Sequence, residues 1–517
     1  MISPAAYSAK LAESGSKHLA LYQTIRDAIT EGQLPPAERL PSTRQLAALF
    51  GLSRGSVSLA YDMLAVEGLV QSGVGQGTFV VGWEEGRSVY KGNSGEEAQI
   101  PLAEPALTAW ARRLMEKAPE TNPQSAFTAA HISPSQVEEH VNPVSFVPEG
   151  IGAGWFPWLE WKAQVALQWK QFGFTWKDAR ETEGSLRLRQ AIATRLRRER
   201  GITCEADNII ITAGSMQAIT LLTQLLLEEG KTSVIENPCY TGITRAIEAT
   251  GAQLITQEVD RNGILPQDWA AELLFVTPAR QFPTGAVLSY ERRRALLSWA
   301  SRRNAWIVED DYDSDFRWGG RPIEPLKSLD REGRVIYVGT FSRSMCAGVR
   351  IGYAIVPDEL VQPFIAAKKL YDPYPSGIAE QEALATWMSE GGFDRHMRRM
   401  RRVYGKLEEK LRLGLEQHLG DLFEVVPSDA GLHVYAKWLS SFEHYSLLVK
   451  ECSCRGVSWK EGSIYARKGK EQDCSALFGF AHLDEDLIDE GVTRIRQAAE
   501  ALGLIGSNRV LGGTIDA

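Results

Sequence analysis

Acidic side chains follow a short apolar run in the middle of the chain. The run Ala305–Glu309 predicts a buried strand, and Asp310, Asp311 and Tyr312 come directly after it. Open α/β sheets bind their ligands at the carboxyl edge of their strands. A carboxylate there can keep a pyridinium nitrogen protonated, so that the ring draws electrons, or it can help to bind Mg²⁺. The residue types alone leave both alternatives open.

A second pattern predicts an anion site. Ile209–Gln217 combines a strand, a turn of small residues and the start of a helix. Free backbone N–H groups of Ser215 and Met216 would then face an anion. The same pattern also fits a plain connection between a strand and a helix. Further along, Thr277–Gly285 contains two prolines and is predicted to form a rigid turn beside the ligand.

Strand-like runs alternate with helical patterns from Phe146 onward. The predicted strands are Asn208–Thr212, Thr232–Glu236, Leu273–Thr277, Ala305–Glu309, Arg334–Gly339 and Arg350–Val356, and the helices between them are Met216–Leu227, Thr241–Thr250 and Glu291–Asn304. This alternation predicts an α/β fold with a mostly parallel sheet and helices on both faces. A long basic helix and shorter strands after Gly392 predict a small C-terminal α+β subdomain.

Composition and charge restrict the class of protein. The chain has 517 residues, which is too long for one domain. Its 44% hydrophobic and 24% charged content is that of an ordinary soluble globular protein. Its six cysteines are scattered without metal-binding spacing, and no run approaches the roughly 18 apolar residues of a membrane helix. We therefore expect a cytoplasmic protein with reduced cysteines. A net charge of −8 excludes wholesale coating of nucleic acid but leaves room for a small DNA-binding domain.

The segment before Gly82 predicts a helix-turn-helix motif followed by a wing. The predicted elements are a helix Leu19–Glu31, a short helix Gln45–Phe50 capped by Ser42, a second helix Arg54–Glu67 capped by Ser53, and a hairpin of Leu69–Gln71 and Thr78–Val81. Gly51 makes the turn between the two short helices. Three fragments, Leu40–Ala47, Leu52–Val57 and Gly75–Val80, together resemble the GntR-type winged helix.

The resemblance implies that the second helix enters the major groove of DNA and that the wing lies on the neighbouring backbone or minor groove. The residues expected at bases or phosphates are Arg39, Ser42, Thr43, Arg44, Ser53, Arg54, Ser56, Ser58 and Gln76. For Arg39 and Arg44 a role as solvated surface charge stays open. Six basic and six acidic residues precede Gly82, so affinity should depend on placement, dimerisation and salt.

From Phe146 to Leu502 the chain resembles the aminotransferase-like half of MocR-family regulators, which join a GntR-type reader to a fold-type-I domain. Trp110 and the segment Phe156–Trp161 match the end of that family's linker and its domain entry. The resemblance implies pyridoxal 5′-phosphate (PLP) as cofactor, operator DNA and a small-molecule effector as partners, and a homodimer. Ile464 stands where the best-known members have an arginine for the effector's carboxylate, which argues against an amino-acid effector.

The resemblance also assigns residues to the cofactor. Asp310 would pair with the pyridine nitrogen and Tyr312 with the ring hydroxyl, while Tyr240 would stack on the ring. The residues implied around the phosphate are Ser215, Met216, Thr340, Ser342 and Arg350. Gln281 is a weaker candidate for a contact at the ring edge, because Phe282 occupies the position where the pattern often has asparagine.

Arg343 occupies the position of the Schiff-base lysine in Gly339–Ser344. A guanidinium stays protonated above about pH 12 and has no free amine lone pair, so it cannot form the covalent link on which fold-type-I catalysis depends. Arg343 is an engineered replacement of lysine, or a natural residue that contacts the cofactor phosphate or an acidic ligand non-covalently, or part of a pocket that has become purely structural. The sequence leaves all three open.

Two classes of function follow, a transcription regulator that senses a small molecule and an aminotransferase with an accessory DNA-binding domain. A regulator that responds to no ligand is also compatible with the sequence. The winged helix favours the first class, and Arg343 argues against the second, because the chain is expected to be inactive in transamination. The predicted division is a winged helix over residues 1–82, a linker over 83–140, an aminotransferase-like large domain over 141–390 and a small subdomain over 391–517. Arginines of the run Arg187–Arg200 are predicted to face solvent or a partner subunit.

Overall fold

The computed structural model describes residues 2–73, 77–81, 107–116, 142–148, 150–152, 154–172, 181–318, 323–467 and 474–506. The chain divides into two compact units, Met1–Pro105 and Ala106–Ala517. Most of the predicted linker and the predicted DNA contact Gln76 lie outside the described residues.

The first unit is a winged helix-turn-helix. Its elements are α1 (Pro4–Ser14), α2 (Lys17–Thr30), β1 (Arg39–Leu40), α3 (Thr43–Phe50), α4 (Arg54–Val66), β2 (Val70–Gly73) and β3 (Gly77–Val80). The strands form a sheet in the order β1-β3-β2. Leu21, Leu46, Val57 and Leu64 lie in one core that joins the helices to this sheet. The predicted helix-turn-helix and wing are present, whereas α1 and β1 were not predicted.

Local signals explain where the two short helices begin. The Ser42 hydroxyl accepts a hydrogen bond from the Gln45 amide (3.3 Å), and the Gln45 side chain accepts one from the Ser42 amide (2.9 Å). This capping box fixes the first turn of α3. Gly51 ends α3 in the left-handed conformation with φ 64°, and Ser53 caps α4 through the Ser56 amide (3.1 Å).

The second unit contains the remaining elements. These are α5 (Ala109–Glu116), β4 (Val144–Phe146), α6 (Trp158–Phe172), α7 (Leu186–Arg200), β5 (Ile209–Thr212), α8 (Ser215–Leu226), β6 (Thr232–Asn237), α9 (Thr241–Thr250), β7 (Gln253–Asp260), β8 (Gly263–Ile264), β9 (Leu273–Val276), α10 (Tyr290–Arg303), β10 (Trp306–Asp311), α11 (Leu326–Leu329), β11 (Val335–Thr340), β12 (Gly352–Ile355), α12 (Asp358–Tyr371), α13 (Ile378–Ser389), α14 (Gly392–Leu419), β13 (Phe423–Val425), β14 (His433–Trp438), α15 (Phe442–Cys454), β15 (Val457–Glu461), β16 (Ser475–Gly479) and α16 (Glu485–Ala501).

An eight-stranded sheet forms the centre of this unit, in the order β5-β12-β11-β10-β9-β6-β7-β8. Strands β7, β6, β9, β10 and β11 run parallel, and β12 is antiparallel to both β11 and β5. Adjacent residues of one strand enter different cores: Ile307 packs with α10, while Val308 packs with α8 and α9. The predicted α/β class, with helices on both faces of a mostly parallel sheet, is confirmed. Strand β7 was not predicted.

A smaller sheet lies at the C-terminal end of the sequence, in the order β13-β14-β16-β15-β4. The strand β4 comes from the beginning of the unit and pairs parallel with β15, with Val144 opposite Val457. The predicted range of the large domain therefore contributes one strand to the small sheet. The 28-residue helix α14 covers this sheet and corresponds to the predicted long basic helix.

Three of the arginines predicted to face outward on α7 are largely buried instead. Arg189 and Arg195 are 5% and 7% exposed. The Arg195 and Arg200 guanidinium groups both bind the Asp315 carboxylate, at 2.7 and 3.2 Å. The prediction was wrong for Arg195 and Arg200 because Asp315 lies 120 and 115 residues further along the chain. It was wrong for Arg189 because this side chain is buried beside Glu181 and Asp207, 8 and 18 residues away. No helix in the described ranges is long and apolar enough to cross a membrane.

Candidate functional site

A cavity of about 290 Å³ opens at the carboxyl edge of the large sheet. We call it the central cavity, and its lining residues are Pro148, Gly150, Ser215, Met216, Tyr240, Thr277, Phe282, Asp310, Tyr312, Thr340, Ser342, Arg343, Ala347 and Arg350. Every predicted cofactor residue except Gln281 belongs to this lining. The structure therefore brings together residues from β10, β11, the first turn of α8 and the residue that precedes α9, as expected for a site at the ends of parallel strands.

Asp310 differs from the other acids that follow β10. The Asp313 carboxylate binds Arg280 at 3.1 Å, the Asp315 carboxylate binds Arg195, and Asp311 lies 3.7 Å from Arg200. Asp310 is 7% exposed, and its Oδ1 has no hydrogen-bond partner in the described part of the chain. Burial, followed by the charges of Asp311 and Asp313, raises the pKa of the Asp310 carboxyl to about 7. Of the four acids Asp310, Asp311, Asp313 and Asp315, Asp310 is the one that lines the central cavity.

The ion pairs of these acids also bear on the alternative that the acid cluster binds Mg²⁺. A metal site needs several carboxylates with free oxygens, whereas Asp311, Asp313 and Asp315 are each already near an arginine. No group of three or more histidine, cysteine or acidic side chains in the described ranges is arranged to hold a metal ion.

Tyr312 is placed as a hydrogen-bond donor. Its hydroxyl oxygen accepts a hydrogen bond from Arg280 Nη1 at 3.0 Å, which leaves the phenolic proton for a neighbour in the cavity. Burial, followed by the charge of Asp313, raises the pKa of Tyr312, so the phenol stays protonated. Arg280 itself is buried and also binds the His433 carbonyl at 2.9 Å, which ties the end of β10 to β14.

The first turn of α8 forms one corner of the central cavity. Gly214, at φ 82°, precedes the helix, and an added Cβ there would lie 3.1 Å from the Arg350 guanidinium. The amides of the first helical residues have no partner within the helix. Arg350 donates a hydrogen bond to the Ala213 carbonyl at 2.7 Å, which holds its charge over this turn. The Ser342 hydroxyl is buried without a hydrogen-bond partner in the described residues. This corner can bind a phosphate.

Aromatic rings form the opposite wall. Phe282 makes edge-to-face contacts with Tyr240, Tyr312 and Tyr465, at centroid distances of 5.7, 5.5 and 4.9 Å. Tyr240 is 39% exposed and presents its ring to the cavity. A planar ligand can therefore be held by stacking and edge contacts.

Gln281 is not among the residues that line the central cavity. Gln281 is 1% exposed, and its amide nitrogen donates to the carbonyl groups of Pro238 (2.8 Å) and Phe282 (2.6 Å). Its amide oxygen accepts from Thr284. Gln281 therefore holds the turn, and Phe282 faces the cavity instead. Ile464 is 46% exposed and is not among the lining residues.

Sequence reasoning placed the turn Thr277–Gly285 beside the ligand but assigned no role in the site to Phe282, Thr277 or Arg280. Phe282 lies between two turn-forming stretches and is the sole large apolar side chain in Ala279–Gly285, which was a usable signal. Arg280 had no local signal, because its partners Asp313 and His433 lie 33 and 153 residues further along the chain.

Arg343 is half-buried and lines both the central cavity and a small buried space beneath it. In the described ranges its guanidinium has no ion-pair partner within 4.0 Å and no hydrogen bond. Its charge lowers the pKa of Asp310 and Asp313 in part, and burial outweighs this effect at both carboxyl groups. Within these ranges, a cation without an ion pair therefore stands at the position where the resemblance predicts the Schiff-base lysine.

The first unit presents the predicted DNA contacts at its surface. Exposed side chains are Arg39, Ser42, Arg44, Ser53, Arg54 and Ser58, while Thr43 and Ser56 are half-buried. Arg54 and Ser58 lie at the start of α4, and Arg39 lies beside the wing, since an added Cβ at Gly77 would lie 2.6 Å from Arg39 Nε. Within the described ranges, Arg39, Arg44 and Arg54 have no ion pair with a carboxylate. Their charges are thus available to phosphates.

Comparisons with known proteins find matches for both units of the chain. Residues 17–80 match the gntR family of bacterial regulatory proteins, and residues 166–495 match aminotransferase class I and II. The probable rhizopine catabolism regulatory protein MocR of Rhizobium meliloti is 32% identical over 95% of both chains. The pyridoxine biosynthesis transcriptional regulator PdxR of Corynebacterium glutamicum is 30% identical, over 90% of this chain and 92% of its own. Kynurenine aminotransferase of Pyrococcus horikoshii shares the fold, with a TM-score of 0.64 and 23% identity over 70% of this chain and 92% of its own.

Proposed function

The chain belongs to the MocR-type transcription regulators, in which a GntR-family DNA-binding domain is joined to an aminotransferase class I and II domain, and on this premise we propose that its central cavity binds PLP non-covalently as an effector. The observation that carries the proposal is the buried Oδ1 of Asp310, which has no hydrogen-bond partner among the described residues, in a cavity that also has the corner formed by α8, Ser342 and Arg350. In this proposal residues 1–82 read DNA, 83–140 connect, and 141–390 with 391–517 bind the ligand.

The residues of the central cavity fit each part of PLP. Asp310 would accept a hydrogen bond from the protonated ring nitrogen, and Tyr312 would donate one to the ring hydroxyl. The α8 amides, Ser342 and Arg350 would hold the phosphate. When bound in an enzyme, PLP supplies an electron sink for reactions of amino acids.

Arg343 can take part in binding the ligand but cannot take part in transamination. The side chain cannot act as a nucleophile, because a guanidinium remains protonated and lacks a free amine. It can position an acceptor through charge-assisted hydrogen bonds. The cavity therefore keeps the groups that recognise the ligand and lacks the one that would link to it, which favours a sensor over an aminotransferase.

DNA recognition is proposed to use α4 and the wing. Arg54 and Ser58 at the start of α4 would face base edges or phosphates, and Arg39 and Arg44 would contact phosphates. Ser42 and Ser53 cap their helices and present exposed hydroxyls that would reach the backbone, as would Thr43 and Ser56. Gln76 is proposed for the wing tip.

We further propose a homodimer that reads paired half-sites. Helix α6 leaves Leu159 at 88% and Trp169 at 60% exposure, which supports a second copy as their partner. Sedimentation at micromolar concentration tests this: a dimer is expected for the wild type, and a monomer would contradict the proposal.

Calorimetric titration tests the ligand. PLP should bind the full-length protein, and Asp310→Asn should weaken binding roughly tenfold or more, since a hydrogen bond to a charged group is lost. Asp421→Asn, at an exposed aspartate outside the cavity lining, serves as the matched control and should bind normally. A wild-type protein that binds no PLP, or a variant that binds it equally well, would contradict the proposal.

A further inference from the structure

We propose that the central cavity prefers a 5′-phosphorylated pyridine whose substituent beside the ring hydroxyl is a carboxylate, over the same ring with an aldehyde or an aminomethyl group. This inference rests on the proposed function, and it assigns to Arg343 the role of selecting the ligand. The chemical class is an oxidised form of PLP, for which 4-pyridoxic acid 5′-phosphate is the probe.

The starting observation is the distribution of positive charge around the central cavity. Arg280 is paired with Asp313, and Arg195 and Arg200 are paired with Asp315. Arg350 is engaged with the Ala213 carbonyl. Arg343 alone among these arginines has neither an ion pair nor a hydrogen bond within the described ranges. A half-buried cation without a counter-charge attracts an anionic group.

The surroundings of Arg343 define where that anionic group must be. Arg343 follows Ser342 of the phosphate corner directly in sequence, and its charge acts on Tyr312, Asp310 and His433. If the phosphate is at Ser342, the ring nitrogen at Asp310 and the ring hydroxyl at Tyr312, the remaining ring position lies between hydroxyl and phosphate. The substituent at this position is the one that meets Arg343.

The charge and hydrogen-bonding geometry of the Arg343 guanidinium predict the order of affinity for the three ligands. A carboxylate accepts two parallel N–H bonds from a guanidinium, and both groups are charged. An aldehyde offers one neutral acceptor and finds no amine to condense with. An aminomethyl group is a cation at neutral pH and is repelled by Arg343. Affinity should therefore fall from carboxylate to aldehyde to aminomethyl.

The neighbouring acids do not cancel this preference. Asp313 and Asp315 have their own arginines, and Asp310 is the proposed partner of the ring nitrogen. His433 is buried, and burial followed by the charge of Arg280 lowers its pKa well below the usual range, so it is neutral. Arg343 is therefore the cation left to meet the substituent.

The test is calorimetric titration of the full-length protein with three probes, 4-pyridoxic acid 5′-phosphate, PLP and pyridoxamine 5′-phosphate. The carboxylate should bind about tenfold or more tightly than PLP, as expected for one charge-assisted bidentate contact. Pyridoxamine 5′-phosphate should bind most weakly. Arg343→Gln removes the charge at similar length and should abolish the advantage of the carboxylate. Arg343→Lys should reverse the order in favour of PLP, because an amine is now present.

The outcomes separate this inference from the proposed function. If PLP or pyridoxamine 5′-phosphate binds as tightly as the carboxylate, or if the advantage persists in Arg343→Gln, the inference is overturned while ligand binding stands. If none of the three probes binds, both are overturned. Thermal melting of both variants at the wild-type temperature would show that they fold, and the order of affinities within each variant keeps the test valid if one melts lower.

Discussion

Replacing Asp310 with asparagine should stabilise the ligand-free protein. The Asp310 carboxyl is buried, its Oδ1 has no partner in the described part of the chain, and burial followed by the charges of Asp311 and Asp313 raises its pKa to about 7. An unpaired buried carboxylate is costly, whereas an amide of nearly the same shape is neutral. The substitution therefore removes an unfavourable charge from the folded state.

The raised pKa of Asp310 fixes the pH dependence of this effect. Between about pH 4 and pH 7 the folded protein holds a proton on Asp310 that the unfolded chain has released, so the free energy of unfolding falls as the pH rises. A rise in pKa from 3.8 to about 7 corresponds to about 4 kcal/mol when complete. Water entry and relaxation of the folded state reduce this energy. We therefore expect Asp310→Asn to raise the free energy of unfolding by about 1–3 kcal/mol at about pH 8 and to leave it nearly unchanged below about pH 4.

Asp315 offers a matched control with the opposite sign. Burial alone would raise its pKa, but Arg195 and Arg200 outweigh burial and lower the pKa of its carboxyl to about 2. The stability it contributes is present above about pH 4 and is lost as the pH falls through about 2. Asp315→Asn should therefore lower the free energy of unfolding at neutral pH by about 3–5 kcal/mol, because it leaves two buried arginines without their shared partner.

Urea unfolding followed by tryptophan fluorescence measures both variants at several pH values. The difference in stability between Asp310→Asn and wild type should grow from about pH 4 to about pH 8. If Asp310→Asn destabilises the protein at pH 8, or if its effect does not change with pH, then Asp310 has a partner in the folded state and the reasoning about the cavity is refuted.

Two further predictions concern DNA binding and the segment before the large sheet. Arg54→Ala should weaken binding to a selected operator by about 1–3 kcal/mol in gel shifts at fixed salt, whereas Lys17→Ala should have little effect; unchanged affinity would refute the placement of α4. Arg113 donates a hydrogen bond to the Ala249 carbonyl at the end of α9 (3.1 Å). Arg113→Ala should speed amide hydrogen exchange in α5 about fivefold, as for the loss of one hydrogen bond of about 1 kcal/mol. Arg112→Ala, whose side chain bonds the Leu107 carbonyl within its own segment, should leave exchange in α5 nearly unchanged; equal effects of the two substitutions would count against this anchor.

Local signals were sufficient to predict much of the fold. Capping residues such as Ser42 and Ser53 and the turn glycine Gly51 determine where the short helices begin and end, and they act within a few residues. Alternating apolar runs predicted most strands of the large sheet. Strand β7 (Gln253–Asp260) was missed because polar side chains interrupt it near the edge of the sheet, and β1 was missed because two residues carry too little pattern.

The arrangement of the cavity depends on contacts between distant residues. The acid run at the end of β10 indicated a site, but the folded chain is needed to show that Asp313 pairs with Arg280, that Asp315 pairs with Arg195 and that Asp310 lines the central cavity. Whether Gln281 or Phe282 faces the cavity depends on the path of the turn, because the Gln281 side-chain amide donates a hydrogen bond to the Pro238 carbonyl. Such distinctions require the folded chain.

The most direct test of the account is to add PLP to the wild type and to Arg343→Lys, record the visible absorbance, reduce both with borohydride and map the modified peptide by mass spectrometry. The account predicts that the wild type binds PLP without a reducible link at residue 343, whereas Arg343→Lys gains a visible band and a stable adduct at that residue. A stable reducible adduct of the wild type within the central cavity, or a colourless Arg343→Lys variant at high PLP concentration, would contradict it.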